Sequence, residues 1–136
     1  PGLVANAGFK DHWGRARPRE VVEFGGTRAF TPALEPQFET AHPNGSFVCG
    51  DGAFGFFFTA FAFVAVPKWR RRLFWAGMGA GAAFSLTRLV QGGHFLSDII
   101  YATFFMLLTT TLLYAVMYGP RAAVERWRDF FRAYED

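Results

Sequence analysis

Three long stretches without a charged residue limit what this chain can fold into. They run from Gly52 to Pro67, from Leu73 to Thr87 and from Ile99 to Gly119. The hydrocarbon core of a membrane is about 30 Å thick and needs roughly 20 helical residues to cross it. The third stretch reaches this length alone, and the other two reach it when a few flanking residues are added. The pattern therefore predicts three membrane-spanning helices.

Proline, glycine and a basic run mark the ends of these helices. Pro67 is predicted to end the first helix, and the basic run at 68–72 is predicted to form a tight turn after it. Gly92 and Gly93 separate the second helix from the third, for which Ser97 is the predicted N-cap. The predicted helices cover 47–66, 73–90 and 97–119.

The rest of the chain is polar. Residues 1–46 are interrupted by prolines and glycines, which predicts short helical pieces and loops at one membrane face. The tail, 120–136, carries apolar residues at helical spacing and is predicted to form an amphipathic helix on the membrane or on other helices. We therefore predict an all-α transmembrane helical bundle. Residues 1–136 are expected to form one domain, the C-terminal portion of a longer protein.

A soluble three-helix bundle is the alternative fold. A soluble helix should carry a polar stripe, but 99–117 offers only four threonines among its apolar and aromatic residues. In a membrane protein, loops rich in Lys and Arg lie in the cytoplasm, which places the basic run at 68–72 and the Arg-bearing tail there. Residues 1–51 and 91–97 then share the opposite, extracytoplasmic face.

Two charged motifs lie on that predicted face. The pattern KxxxxxxRP occurs at 10–18, and the pattern RxxxxxHxxxD occurs at 88–98. In this order, and with an apolar helix before the second motif, they resemble signatures of the type 2 phosphatidic acid phosphatase (PAP2) superfamily. The resemblance covers nearly the whole chain and implies a membrane phosphatase. The segments FGGTRAFTP at 24–32 and SFVCGD at 46–51 resemble bacterial members that include lipid A phosphatases.

Two positions depart from the family pattern. The chain has VCGD at 48–51 where the family commonly has PSGH, and Thr87 where the family commonly has serine. The resemblance gives Asp51 the place of the histidine that protonates the leaving group. An aspartic acid has a reference pKa of about 3.9, which is low for a general acid at neutral pH. His12 and His42 are alternative proton donors, and a helix N-terminal carboxylate is the alternative role for Asp51.

His94 and Asp98 form the candidate catalytic pair. A histidine can act as a neutral nucleophile near pH 7. A carboxylate four residues later can accept the other ring N–H and so hold the ring in one tautomer and orientation. We therefore predict that His94 is the nucleophile and that Asp98 orients it. The resemblance implies that Asp51 acts as general acid.

Phosphoryl transfer depends mainly on positioning and on neutralising the charge of the phosphoryl oxygens. Lys10, Arg17 and Arg88 supply the donors that this needs, and contact with lipid head groups is the alternative role for them. Cys49 and Gly50 open the first predicted helix, so their backbone N–H groups are predicted to bind phosphate as well. The Cys49 side chain is predicted to be a small spacer.

Two further arginines belong to the same polar region but are not assigned to the site. Arg15 and Arg19 are predicted to be solvated or to contact lipid head groups. The cationic side chains already neutralise the phosphate, and no other constellation of Asp, Glu and His has the spacing of metal ligands. We therefore expect neither a metal nor a cofactor.

The resemblance implies a membrane lipid phosphatase that hydrolyses a phosphomonoester or pyrophosphate lipid through a phosphohistidine intermediate. Lipid A is the favoured substrate, and undecaprenyl pyrophosphate and phosphatidylglycerol phosphate compete with it. Phosphate transfer to a second lipid and a non-catalytic membrane scaffold are the other functions considered. The expected partners are the phosphorylated lipid and the membrane, with no nucleic acid and with the oligomeric state left open. The expected location is the bacterial inner membrane, crossed several times, with the site on the periplasmic face.

Overall fold

Residues 12–38 and 45–132 of the 136-residue chain are described by a computed structural model. Within these two ranges the architecture is all-helical and no β-strand forms; an isolated bridge joins Val21 to Arg28. Lys10 and His42, which the sequence singles out, lie outside the described residues. The α-helices are α1 (Gly50–Phe57), α2 (Ala60–Val64), α3 (Pro67–Val90), α4 (Leu96–Tyr118) and α5 (Pro120–Phe131).

Two of the described helices are long and apolar enough to cross a membrane. They are α3, with 24 residues, and α4, with 23 residues. Their large apolar side chains point outward in many places, and Leu86, Ile100 and Leu112 are each more than half exposed. A helix that is apolar on its outer faces as well as its inner face is suited to a lipid environment.

The first predicted span, 47–66, is not one continuous helix. A turn at Thr59 separates α1 from α2. There the Thr59 N–H donates to the carbonyl of Phe56 at 3.0 Å, and the Thr59 hydroxyl donates to the same carbonyl at 2.7 Å. A hydroxyl that bonds the local backbone in this way competes with the regular helical ladder. What remains is a shorter apolar segment, Gly50–Val64, so a third full-length span is not confirmed.

The start of α3 also differs from the prediction. Pro67 is its first residue and does not simply end the preceding helix. Proline suits this place because the first turn of a helix leaves its N–H groups unpaired in any case. The basic residues at 68–72 therefore lie on the first turns of α3, where they were expected to form a tight turn. From there Arg70 Nη1 donates to Asp129 Oδ2 on α5 at 2.6 Å.

Phe95, rather than Ser97, is the N-cap of α4. The Phe95 N–H donates to Asp98 Oδ2 at 2.8 Å, so a carboxylate at the third helical position binds an otherwise unpaired amide. The predicted cap, Ser97, instead accepts a hydrogen bond at its hydroxyl from Arg15 Nη1 at 2.9 Å. Asp98 thus fixes the place where the polar loop before α4 becomes helix.

The amphipathic tail helix α5 packs against the other helices. Phe130 is fully buried, and its ring stacks on Phe74 of α3 with the ring centroids 4.5 Å apart. Phe63 of α2 meets the Phe130 ring edge-on at 5.1 Å. This aromatic cluster joins α2, α3 and α5 at the end of α3 that carries the basic residues. The candidate site lies at the opposite end of the same helix.

Small residues let α1 and α3 approach closely. Gly77, Gly81 and Ser85 recur every four residues on α3 and are all buried. A Cβ atom on Gly81 would lie 2.1 Å from the Phe56 ring, and one on Gly77 would lie 2.5 Å from the backbone nitrogen of Thr59. The contact therefore requires glycine at these two positions. Small residues of this kind are common where membrane helices pack. This packing brings the start of α1 beside the end of α3.

We expect Gly77→Ala to destabilise the protein by about 1–3 kcal/mol because the added methyl group meets backbone that has little room to move. Gly79→Ala is the matched control on the same helix, since nothing lies within 4 Å of a Cβ at that position. Alanine is favoured over glycine in a helix by about 0.5–1 kcal/mol, so the control should be neutral or slightly stabilising. Thermal unfolding of both variants in detergent checks this. Equal behaviour of the two variants would contradict the packing described.

Candidate functional site

His94 lies in the short loop between α3 and α4 and is almost completely buried. Two glycines shape the turn that precedes it. Gly93 N–H donates to the carbonyl of Arg88 at 2.9 Å, and Gly92 has a φ of +61°, a conformation that side chains disfavour. The carbonyl of Gly92 accepts a hydrogen bond from the backbone N–H of Arg19 at 3.1 Å. The first charged motif is thereby attached to the loop that carries the histidine.

The imidazole ring is held by a backbone carbonyl. His94 Nδ1 lies 2.6 Å from the carbonyl oxygen of Ser46. Because a carbonyl oxygen can only accept, Nδ1 carries a proton and donates it to Ser46. The sequence predicted that Asp98 would accept this proton, but Asp98 Oδ2 is 3.7 Å from Nδ1, which is an ion-pair distance and too long for a hydrogen bond. The Ser46 carbonyl therefore takes the place expected for Asp98.

Asp98 is fully buried and has its own set of partners. Its Oδ1 binds Nη1 of Arg15, and its Oδ2 accepts from the Ser46 hydroxyl and from the N–H of Phe95. A buried carboxylate with a cation and two neutral donors around it has partners for both of its oxygens. Asp98 is thus held in place beside the histidine ring.

Arg15 is the largest correction to the predicted site. It was expected to be solvated or to contact lipid head groups, but it is only 2% exposed and is ion-paired with Asp98. Its Nε donates to the carbonyl of Thr31 at 2.9 Å, and its guanidinium group lies over the Phe95 ring, 4.4 Å from the centroid. Stacking on an aromatic face suits a desolvated arginine.

The pKa of His94 is raised to about 9 from an ordinary value of 6.5. Burial is the largest influence and by itself lowers this pKa, since it disfavours the charged ring. The attraction of the Asp98 carboxylate and contact with Cys49 act in the opposite direction and together outweigh burial. With the pKa raised to this value, the protonated ring is the favoured form at neutral pH.

Arg88 and Asp51 form a second, more open pair. Arg88 Nε donates to Asp51 Oδ2 at 2.7 Å, and both side chains are 43% exposed. Arg88 Nη1 also donates to Gln91 Oε1 at 3.1 Å. The residue predicted to bind phosphate is thus in contact with the residue predicted to protonate the leaving group. An incoming phosphate would compete with the carboxylate for this arginine.

Cys49 and Gly50 do open a helix, as predicted, but one of the two amides is already used. The Cys49 N–H donates to the backbone carbonyl of Asp98 at 3.3 Å, and the buried Cys49 Sγ accepts from the N–H of Gly52 at 3.3 Å. The thiol therefore caps α1. This leaves Gly50, partly exposed at the first position of the helix, as the member of the pair suited to meet a ligand.

Arg17 lies two residues before Arg19, whose backbone N–H binds the loop that carries the histidine. Its backbone N–H donates to Glu20 Oε2 at 3.1 Å, and the neighbouring Arg19 is the residue bonded to Gly92. The structure thus brings His94 together with Asp98 and Cys49, pairs Arg88 with Asp51, and holds the segment of Arg17 alongside. Among residues 12–38 and 45–132, no group of three or more His, Cys, Asp or Glu side chains is arranged to hold a metal ion.

Sequence reasoning did not assign Arg15 and Ser46 to the site. Both are buried, and each contacts Asp98 through its side chain. They also bind each other, because Ser46 N–H donates to the carbonyl of Arg15 at 2.8 Å. The one available signal was position, since Arg15 lies inside the first motif and Ser46 begins the SFVCGD segment.

Comparison with known proteins agrees with the motifs. The sequence profile described as the PAP2 superfamily matches residues 2–121. A relative named lipid A 4'-phosphatase from Francisella tularensis subsp. novicida (strain U112) is 43% identical over 122 residues, which are 89% of this chain and 54% of that protein.

Two further relatives carry the same name. The protein from Rhizobium leguminosarum is 36% identical over 74% of this chain and 42% of its own length. The protein from Rhizobium etli (strain ATCC 51251 / DSM 11541 / JCM 21823 / NBRC 15573 / CFN 42) is 38% identical over 73% of this chain and 38% of its own length. The chain thus spans about half the length of these relatives or less. No solved structure gives a significant match.

Proposed function

The chain belongs to the PAP2 superfamily, and from this premise we propose that it is the catalytic portion of a membrane phosphatase acting on a phosphorylated lipid. Lipid A is the substrate that we favour, because the three relatives described above are each named lipid A 4'-phosphatase. The two long apolar helices are compatible with a membrane location.

The observation that carries the proposal is the way in which His94 is held. Nδ1 donates its proton to the Ser46 carbonyl at 2.6 Å, so the second ring nitrogen, Nε2, is the one assigned to chemistry. Nε2 first gives its proton to solvent water, and its lone pair then attacks phosphorus in line with the leaving group. A P–N bond forms, the P–O bond to the lipid breaks, and the electron pair leaves with the lipid oxygen. Water then hydrolyses the phosphohistidine and releases phosphate.

The cations are assigned to the phosphoryl oxygens. Arg88 provides a planar group of donors at the end of α3, and we assign Lys10 and Arg17 of the first motif to the same phosphate, together with the N–H of Gly50. When phosphate binds Arg88, it displaces Asp51 from its pair with that arginine. The released Asp51 carboxylate takes up a proton from solvent water, and we assign it to protonating the leaving oxygen. With these cations present, we propose a reaction that needs no metal.

The direction of α3 supports the proposed orientation in the membrane. Its first turns carry Lys68, Arg71 and Arg72, which are all exposed, and its last turn carries Arg88 of the site. A helix of 24 residues is about 36 Å long, which is enough to separate the two ends by a bilayer core. Placing the basic end in the cytoplasm puts the site at the periplasmic face of the bacterial inner membrane.

Phosphate release by the full-length protein in detergent tests the proposed function. The substrates are lipid A, undecaprenyl pyrophosphate and phosphatidylglycerol phosphate. Each is assayed with the wild type and with the His94→Ala variant. Release from lipid A at the highest kcat/KM is the expected result. Preference for another lipid would replace the substrate, and radiolabel recovered in a second lipid would indicate transfer. No turnover of any substrate would favour a non-catalytic scaffold.

With an aryl phosphate, whose leaving group needs no general acid, we expect kcat/KM to rise with pH, about tenfold per unit, and to level off near pH 9. The reason is that the nucleophile is the neutral ring, while the pKa of His94 is raised to about 9. A raised folded pKa stabilises the protein fully below the ordinary value of 6.5, and this contribution is lost as the pH passes through about 9. Melting curves in the same buffers separate this loss from catalysis. A rate that falls between pH 7 and pH 9 in folded protein would contradict the assignment.

We expect Asp51→Asn to slow lipid hydrolysis by about 10²- to 10⁴-fold, the usual range for loss of a general acid. An aryl phosphate with a good leaving group needs no protonation, so the variant should lose much less activity on that substrate. Asp129→Asn is the matched control because Asp129 also pairs with an arginine, at 2.6 Å from Arg70, in a different part of the protein. Equal losses of Asp51→Asn on both substrates would show that Asp51 is not the proton donor.

A further inference from the structure

Arg15 has a set of contacts that the proposed reaction does not use. The reaction assigns phosphate to other cations, yet Arg15 is the arginine with the least exposure among the ion pairs of the described residues. Its Nε is bound to the Thr31 carbonyl, and its Nη1 is bound to Ser97 Oγ and Asp98 Oδ1. These partners, together with the Phe95 ring beneath the guanidinium group, hold it on the side of Asp98.

The Asp98 carboxylate lies between this arginine and the histidine ring. Oδ1 faces Arg15, whereas Oδ2 faces the Ser46 hydroxyl and the Phe95 N–H and lies 3.7 Å from His94 Nδ1. Because its partners satisfy both oxygens, the carboxylate does not depend on the ring for its hydrogen bonds. The ring in turn uses the Ser46 carbonyl. Arg15 and Ser46 together thus determine where the acid and the histidine sit.

We propose that Arg15 is a positioning residue of the phosphatase site, which acts on His94 through Asp98 and prevents the carboxylate from forming a tight ion pair with the imidazolium. This inference rests on the proposed function, in which His94 is the nucleophile. The physical reason is that a carboxylate buried beside two cations shares its charge between them. When Arg15 is present, the imidazolium is less strongly stabilised and can release the Nε2 proton that attack requires.

The other charged and titratable groups near the ring come from different elements. Asp98 lies on the first turn of α4, and the Cys49 thiol at the start of α1 also stabilises the charged ring. At the adjoining ends of α1 and α3, Asp51 and Arg88 are paired with each other. Of these groups, Asp98 is the one in direct contact with Arg15. A change at Arg15 should therefore reach His94 by way of Asp98.

Titration of the His94 ring by NMR in full-length protein tests this without relying on turnover. Its signals are assigned by their loss in His94→Ala. Arg15→Gln is expected to raise the pKa of His94 by about one unit, which leaves about tenfold less neutral ring at pH 7. Arg15→Lys keeps the charge without the planar fork and should give a smaller rise. Arg70→Gln, which breaks the ion pair with Asp129 far from the ring, should leave the titration unchanged.

The double variant Arg15→Gln/Asp98→Asn provides a test that leaves no unpaired charge in the buried pair. Compared with Asp98→Asn alone, it should shift the His94 titration by only a few tenths of a unit, because the group that transmits the effect is absent. An unchanged or lowered pKa in Arg15→Gln, or a full shift in the Asp98→Asn background, would overturn the proposal. If the wild-type protein hydrolyses no lipid, only the proposed function is refuted, because the titration measures the effect of Arg15 on His94 separately.

Discussion

We expect the His94→Asn variant to release phosphate from its lipid at least about 10⁴-fold more slowly than the wild type, as is typical when a catalytic nucleophile is removed. The asparagine amide keeps a donor for the Ser46 carbonyl, which His94 Nδ1 contacts at 2.6 Å. It has no counterpart of Nε2, so no P–N bond can form. Initial rates of the full-length protein in detergent, with thermal unfolding of the same samples, separate lost chemistry from lost structure.

The intermediate gives this prediction a second measurement. Wild-type protein quenched during turnover of a radiolabelled lipid should retain label that survives alkali and is released by acid, the behaviour of a phosphorylated histidine. His94→Asn should retain none. Arg70→Gln is the control that should retain label, since it removes an arginine ion pair at the other end of α3. Label in His94→Asn, or a rate close to that of the wild type, would exclude the proposed nucleophile.

Replacing Asp98 by asparagine should be the most destabilising of the substitutions proposed here, by about 3–5 kcal/mol. Asp98 is fully buried and Arg15 is 2% exposed, so the variant leaves a buried cation without its counter-charge. The amide also has one oxygen, whereas the carboxylate accepts from Arg15 on one side and from Ser46 and Phe95 on the other. On one side, the N–H groups of the variant's amide must then face another hydrogen-bond donor. Thermal unfolding in detergent should show a drop of roughly 10 °C or more.

The same substitution should also change the pH dependence. Without the Asp98 anion, the pKa of His94 should fall from about 9 towards its ordinary value of 6.5, and the rise of kcat/KM should move to lower pH with it. Asp129→Asn is the control for stability, because its pair with Arg70 is partly exposed and pairs of that kind are worth about 0–1 kcal/mol. An Asp98→Asn variant as stable as this control would contradict the buried ion pair described above.

Local sequence patterns were sufficient for the helical class and for the family. Charge-free stretches identified the two long apolar helices α3 and α4, and the motif at 88–98 carried the PAP2 resemblance that the sequence profile confirms. The placement of Asp98 near His94 was also accessible, because four residues across a helix start bring two side chains to one side. These features depend on residues close together in the chain, where spacing and residue type are enough.

Other expectations failed where two local preferences compete. Pro67 was read as a helix end, although proline is equally suited to a helix start, and the structure uses it as the first residue of α3. At Thr59 the hydroxyl bonds the backbone and interrupts a stretch that is apolar throughout. In each case the helix boundary depends on which neighbouring helix the segment packs against. The sequence pattern does not identify that neighbour.

The partners of His94 and Asp98 are decided by tertiary structure. Arg15 meets Asp98 across 83 residues of chain, and Ser46 meets it across 52. No period or motif spacing links positions so far apart, and an arginine in a polar segment is usually at the surface. Folding buries this arginine because the start of α4 brings it a carboxylate and an aromatic ring, and the segment before α1 brings it a carbonyl. The sequence therefore identifies the residue types that the proposed chemistry needs. The contacts that shift the pKa of His94 form only when the helices pack.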